Sequence, residues 1–234
     1  MEKSTIEEIR ERFDQDVDRF SNLATGQTST IDAALSLELI TEAASKIKPK
    51  ASHLLDIGCG AGNYTLKMLS KSPGLHCTLN DLSLPMLERA EQRISQAQSA
   101  SVSIIHGDMR EVEINEQFDI ILAGAVLHHL RDDEDWESMF ARLFELLKPG
   151  GCLWISDLIA QEIPVLHEYT WERYGQYLEG LGGSEYRQKV LNYVDFEDSP
   201  RPMTYQLELM RKVGFSKVEI LHKNVCFGAF GGVK

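Results

Sequence analysis

Three glycines fall within five positions, Gly58-Cys59-Gly60-Ala61-Gly62, directly behind the apolar run "HLLDI". Glycine raises the conformational freedom of the segment that holds it. A cluster behind a strand therefore serves a tight turn or a close approach of bare backbone to a ligand. A dinucleotide fingerprint requires G-x-G-x-x-G, and here Gly58 and Gly60 fit while Asn63 takes the third position. Asp56, two residues before Gly58, is poorly placed for a pyrophosphate and suits a ligand with cationic groups. Asp81 stands 19 residues after Gly62, where a carboxylate accepts hydrogen bonds from ribose hydroxyls. Each carboxylate could also simply cap a helix or close a turn. His128 and His129 follow a later apolar run, and His128 has the intrinsic acidity of a base near neutrality. A structural imidazole at a strand–helix junction is the alternative. His106 reads as an ordinary residue of a strand, and no His/Cys/carboxylate spacing marks a metal site.

The elements that must hold these residues alternate. "HLLDIG", "LHCTLN", "SVSIIHG", "FDIILAG" and "CLWISDLI" read as strands. Between them lie helical segments, "AGNYTLKMLSK", "SLPMLERAEQRISQAQ" with Ser83 as N-cap, and "DDEDWESMFARLFELLKPGG" with acidic residues first and a Lys-Pro-Gly-Gly stop. "KVEILHKNVCFGAF" reads as two more strands joined around Lys223-Asn224. Strands alternating with helices predict an α/β Rossmann-like sheet of seven strands, mostly parallel, with helices on both faces and a C-terminal antiparallel pair. No repeat or linker divides residues 1–234, so a single domain is expected.

Composition excludes some functions. With 24 Lys/Arg against 36 Asp/Glu the net charge is −12, which disfavours broad nucleic-acid or anionic-membrane binding. The charge is uneven, because residues 186–234 hold eight Lys/Arg against five Asp/Glu, as a local anion site or a solvated face would. The longest apolar run, Ile120 to Leu127, is too short to span a bilayer. The opening "MEKSTIEEIRER" is charged throughout, unlike a signal peptide. The four cysteines are scattered, as in a cytoplasmic protein with buried thiols.

The motifs together resemble those of the class I S-adenosylmethionine-dependent methyltransferases. "LLDIGCGAGNYT" is similar to their first motif, "LNDLSLPMLERA" to the second and "IIHGDMREV" to the third. "FDIILAGAVLHHL" and "LFELLKPGGCLWISD" resemble the fourth strand and the helix–strand unit after it. The resemblance implies S-adenosylmethionine as cofactor, held by Asp56, Gly58, Cys59, Gly60, Gly62, Asp81, Leu82, Asp108, Met109 and Ala123. Asp81 would take the ribose, Asp108 the adenine amino group, and Met109 would line the ring. His128 would be the base, and the partner a small-molecule methyl acceptor, with no metal, no membrane and a homodimer as the candidate assembly.

"FDQDVDRFSNL" and "LMRKVGF…VCFGAF" also resemble the carboxy-S-adenosylmethionine synthases of tRNA wobble modification. Those enzymes bind the added carboxylate with an arginine, where "RQKVLNYV" offers Gln188 between Arg187 and Lys189. Methyl transfer is therefore the expected reaction, with carboxylated-cofactor synthesis or a non-catalytic cofactor-binding module as alternatives. Residues 6–23 read as a helix with Ile6, Ile9, Phe13, Val17 and Phe20 on one face, within an N-terminal helical lid over residues 1–30. Residues 161–205 read as a helical cap insertion. Between Val165 and Tyr205 it holds six of the seven tyrosines, with Trp171, Tyr174, Leu178 and Leu181 on one face. Lid and cap are expected to close over the cofactor.

Overall fold

A computed structural model describes residues 3–22, 26–97 and 99–234. Seven strands form one sheet in the order β3-β2-β1-β4-β5-β7-β6. These are β1 (His53–Ile57), β2 (His76–Asp81), β3 (Ser101–His106), β4 (Phe118–Gly124), β5 (Leu147–Leu158), β6 (Lys217–Asn224) and β7 (Phe227–Val233). Strands β1 to β5 run parallel, and β7 is antiparallel to both of its neighbours. The expected sheet is the observed one.

The central strands are buried on both faces, which is why β1 and β4 read as nearly continuous apolar runs. Side chains alternate between two cores. Leu54, Leu79, Ile120 and Trp154 pack against α3 (Ala33–Ile47), α4 (Asn63–Lys71) and α5 (Leu84–Ser95). Leu55, Ile121, Leu153 and Phe230 meet α6 (Asp133–Leu146) and α8 (Met203–Val213) on the other face. Strand order reverses between β1 and β4, and their carboxyl ends flank the crevice where ligands bind in sheets of this kind.

Several local expectations are corrected. The N-terminal helix is two helices, α1 (Ile6–Gln15) and α2 (Val17–Ser21), because Asp16 (φ −106°, ψ 11°) ends one and starts the next. A Thr5–Glu8 capping box starts α1. The expected end of that helix, residue 23, lies outside the described residues. Lys148 to Gly151, read as a helix stop, already belong to β5. The last two strands turn at Val225-Cys226 rather than at Lys223-Asn224, with Val225 in the left-handed region (φ +52°).

The cap, α7 (Pro164–Glu197), breaks at Gly182 and Gly183, the latter at φ +79°. Its second arm folds back on the first, so that Arg187 pairs with Glu172 (2.8 Å) and Glu179 (3.0 Å). Tyr174, Leu178 and Val194 form a separate small core with Ile31, Leu158 and Phe227. Leu181, assigned to the same face, is exposed because it sits beside the break.

Candidate functional site

A cavity opens beyond the carboxyl ends of β1, β2 and β4. Its floor begins with the glycine loop. Gly58 (φ +62°) and Gly60 (φ +50°) adopt left-handed backbone. A Cβ on Gly58 would lie 2.3 Å from Val126 Cγ2, whereas one on Gly60 would meet nothing within 4 Å. Gly58 is thus needed for packing and Gly60 leaves bare backbone facing open space. Gly62, expected at the cofactor, does not line the cavity. It precedes α4 at φ +82°, and its α-carbon faces Ile94 and Ala90 of α5, so it permits helix–helix approach.

Asp81 closes β2 and lines the cavity. Its Oδ2 accepts the Gly60 N–H (2.7 Å) and its Oδ1 the Ser83 N–H (2.9 Å). Burial pushes this carboxyl up, against the pull of the Ser83 and Gly60 N–H groups. Leu82, Cys59 and Met109 join the wall as expected. Cys59 donates its N–H to the Asn80 carbonyl (3.0 Å), tying the loop to β2. Burial pushes its thiol well up, so it is an inert neutral side chain.

Asp108 also lines the cavity, but Arg110 holds it in two-pronged contact and reaches on to Asp135 at 2.8 Å. Burial acts to raise its pKa, and the Arg110 hydrogen bonds and charge outweigh this and hold the carboxyl low. Asp56 lies beneath the loop and does not line the cavity. Its Oδ2 accepts from Thr65 Oγ1 (2.6 Å) and the Thr65 N–H (3.2 Å), while Oδ1 is buried without a hydrogen-bond partner. Burial drives its pKa up to about 7. Ala123 is buried within β4 and stops short of the cavity, which Gly124, Ala125 and Val126 line instead. Ala125 is left-handed (φ +54°) and donates to the Ser156 carbonyl (2.8 Å), turning the chain out of the strand.

The two histidines face different ways. His128 does not line the cavity, and His129 does. His128 points back from the 3-10 turn Leu127–His129, its Nδ1 bonded to Asp157 and its Nε2 3.7 Å from Asp198. Burial alone would depress its pKa, but the charges of Asp157 and Asp198 push it up to about 9. An imidazolium held between two carboxylates is a poor base near neutrality. Burial and the neighbouring His128 lower the pKa of His129 and keep it neutral. Its Nδ1 lies 3.3 Å from Asp198 Oδ1, which leaves Nε2 for a ligand.

The roof comes from the N-terminal helices. Ile6, Ile9 and Phe13 of α1 and Phe20 of α2 line the cavity, with Gln27 and Arg131. The helices are fastened by Asn63 Nδ2 to the Phe20 carbonyl (2.8 Å) and Ser83 Oγ to Asp14 (2.6 Å). No residue of 161–205 lines the cavity among the described residues, because the cap's tyrosines pack into their own core. Gln188 bonds Asn192 and Arg187 is spent on two glutamates, so neither reaches it. Arg110, Arg131, Tyr64 and His129 line the cavity without having been assigned to the site. Of these only His129, adjacent to His128, carried a signal in the sequence.

The residues fit the cofactor that the motifs imply. Bare backbone at Gly60, an Asp81 carboxylate in the cavity and the unpartnered Asp56 Oδ1 suit a ligand bearing ribose hydroxyls and an ammonium. A "Methyltransferase domain" family model matches residues 54–151. Demethylmenaquinone methyltransferase of Leptospira interrogans is 31% identical over 194 residues, covering 75% of this chain and 71% of that protein. Malonyl-[acyl-carrier protein] O-methyltransferase of Priestia megaterium is 27% identical over 72% of this chain, which spans 61% of that protein's length. The human N-acetylserotonin methyltransferase structure, solved with S-adenosylmethionine, shares the fold at a TM-score of 0.63 and 18% identity, covering 96% of this chain and 56% of that one. This chain belongs to the class I S-adenosylmethionine-dependent methyltransferases.

Two outcomes follow from the buried carboxylates. Asp81→Ala is expected to weaken S-adenosylmethionine binding by about 1–3 kcal/mol in calorimetry, the scale of lost hydrogen bonds to a charged group. Unchanged affinity in the folded variant removes Asp81 from the site. Asp56, with a folded pKa of about 7 against 3.8 as the unperturbed value, binds a proton in the folded state that the unfolded chain has lost. Its contribution to stability therefore falls as pH rises between those values. Urea denaturation should show Asp56→Asn gaining on the wild type by on the order of 3 kcal/mol across that window. A constant difference from pH 4 to 8 would contradict it.

Proposed function

We propose that this protein transfers the methyl group of S-adenosylmethionine to a small, largely apolar acceptor seated between His129 and the α1–α2 roof. The observation carrying this reading is the single cavity wall that joins Asp81 and the glycine loop to His129 beneath four apolar roof side chains. The relatives named above are methyltransferases of malonyl-[acyl-carrier protein] and of demethylmenaquinone, which supports an acceptor other than nucleic acid. A net charge of −12 further favours a small acceptor over nucleic acid. Four buried, unpaired cysteines support a cytoplasmic setting. Among the described residues no helix is long and apolar enough to cross a membrane.

In this reading Asp81 accepts the ribose hydroxyls, and Leu82, Met86 and Met109 flank the adenine beside Asp108. The N–H groups of the glycine loop, next to the start of α4, meet the cofactor's carboxylate. Asp56 Oδ1, beneath the loop, meets its ammonium through water. The bound cofactor supplies a sulfonium-activated methyl carbon. The protein's task is then alignment, exclusion of water and a hydrogen bond between the acceptor and His129 Nε2. Ile6, Ile9, Phe13 and Phe20 exclude the water.

The reading is tested by incubating the protein with S-adenosylmethionine and panels of phenols, quinols, carboxylic acids and thioesters, and measuring S-adenosylhomocysteine. Acceptor-dependent release that falls at least tenfold in His129→Ala is expected. A parallel incubation with prephenate distinguishes carboxylated-cofactor synthesis. Formation of that product would overturn methyl transfer, while pairing of Arg187 with Glu172 and Glu179 speaks for the ordinary cofactor.

The roof is proposed as a lid that opens to admit the cofactor. Hydrogen exchange should slow in residues 6–21 and 58–62 when S-adenosylmethionine is added, with α7 unchanged. Protection confined to the glycine loop and Asp81 would leave the roof a fixed wall.

A further inference from the structure

Behind the cavity wall lies a cluster that the methyl-transfer reading leaves largely unused. His128 and His129 stand on the turn after β4, and Asp198 follows the last residue of α7, 70 positions beyond His128. One ligand atom from each lies within 4.8 Å of the other two. His129 Nδ1 is 3.3 Å and His128 Nε2 3.7 Å from the same oxygen, Asp198 Oδ1. Donors around a tetrahedral ion with bonds of about 2.0–2.1 Å stand roughly 3.4 Å apart, close to both of these separations.

We infer that His128, His129 and Asp198 bind a first-row transition-metal dication, with Zn2+ the ion their donor atoms fit best. Two imidazoles and one carboxylate match such ions, whereas Mg2+ and Ca2+ require oxygen donors. The surroundings are those of a metal-binding histidine. His128 turns its other nitrogen to Asp157, an arrangement that fixes the ring and raises its basicity. Asp157 is itself held by the N–H groups of Leu127 (2.8 Å) and Leu158 (2.7 Å).

A second observation points to a missing partner. The Asp198 side chain is 3% exposed, yet its Oδ1 meets only the two imidazoles, at 3.3 Å from His129 Nδ1 and 3.7 Å from His128 Nε2, and neither it nor His129 Nδ1 makes a hydrogen bond of good geometry. Buried polar atoms are rarely left so, and these two face each other across the site. The nearby arginines are engaged elsewhere. Arg12 pairs with Glu197, and Arg131 donates to the carbonyls of Glu197 and Ser4. A dication would displace the proton from His128 Nε2, take its place opposite the carboxylates and join the end of the cap to the wall of the cavity. It would also hold His129 Nδ1, leaving Nε2 toward the cavity. The inference is independent of methyl transfer and of the acceptor.

The test uses the full chain stripped with EDTA, then titrated with Zn2+ by calorimetry and with Co2+ by visible absorption. One equivalent of Zn2+ and the intense ligand-field bands of low-coordinate Co2+ are expected. Asp198→Asn and His129→Gln should each weaken Zn2+ binding at least tenfold, and His106→Gln should leave it unchanged. Folded wild type that takes up no Zn2+ overturns the inference, as does equal binding by folded Asp198→Asn or loss in His106→Gln. Should the site variants fail to fold, X-ray absorption at the zinc edge of the loaded wild type decides. Two imidazoles with one carboxylate support the site, and any other protein ligand set overturns it.

Discussion

The reversal of strand order between β1 and β4 is the constraint on which the rest depends. Neighbouring parallel strands send their connections to opposite faces at this point, and a crevice remains above their carboxyl ends. The backbone leaving both strands must turn sharply there. Gly58 and Gly60 on one side and Ala125 on the other all take left-handed conformations. Gly58 has no alternative, since Val126 of the opposite turn occupies the space a side chain would need. The two sides of the crevice are thus packed directly against each other, and the cavity's shape follows from that contact.

Charge is distributed in two layers below and behind this crevice. Asp81 and Asp108 are anchored by backbone N–H groups and by Arg110, so their oxygens keep fixed positions at the cavity surface. Asp56 is placed deeper and bears an unpartnered oxygen. Such a group raises the energy of the ligand-free protein and stabilises a cationic ligand in proportion. Asp157 and Asp198 perform a different task. By enclosing His128 they leave His129 as the imidazole that faces the cavity, and they bind the end of α7 to the turn after β4.

The glycine loop, Asp81 and the alternation of strands and helices were legible in the sequence because each depends on neighbours within about thirty positions. Period-two burial on both faces writes the strands as apolar runs, and left-handed turns demand glycine where the backbone is crowded. Gly62 and Ala123 lie off the cavity, because spacing gives order along the chain and not the direction a residue faces. One meets a helix and the other ends inside the sheet.

The sequence could not distribute roles among residues joined only by folding. Whether His128 or His129 faces the cavity depends on Asp157 and Asp198, from a distant strand and the end of the cap. The aromatic richness of residues 161–205 suggested a pocket, yet the break at Gly182-Gly183 lets the two arms bury those rings against each other and against β7. The cavity's roof was instead taken by α1 and α2, held by Asn63 and Ser83. Local rules of backbone and periodicity are carried by short stretches of chain. Electrostatic pairing and competition for one apolar surface are decided only when distant segments meet.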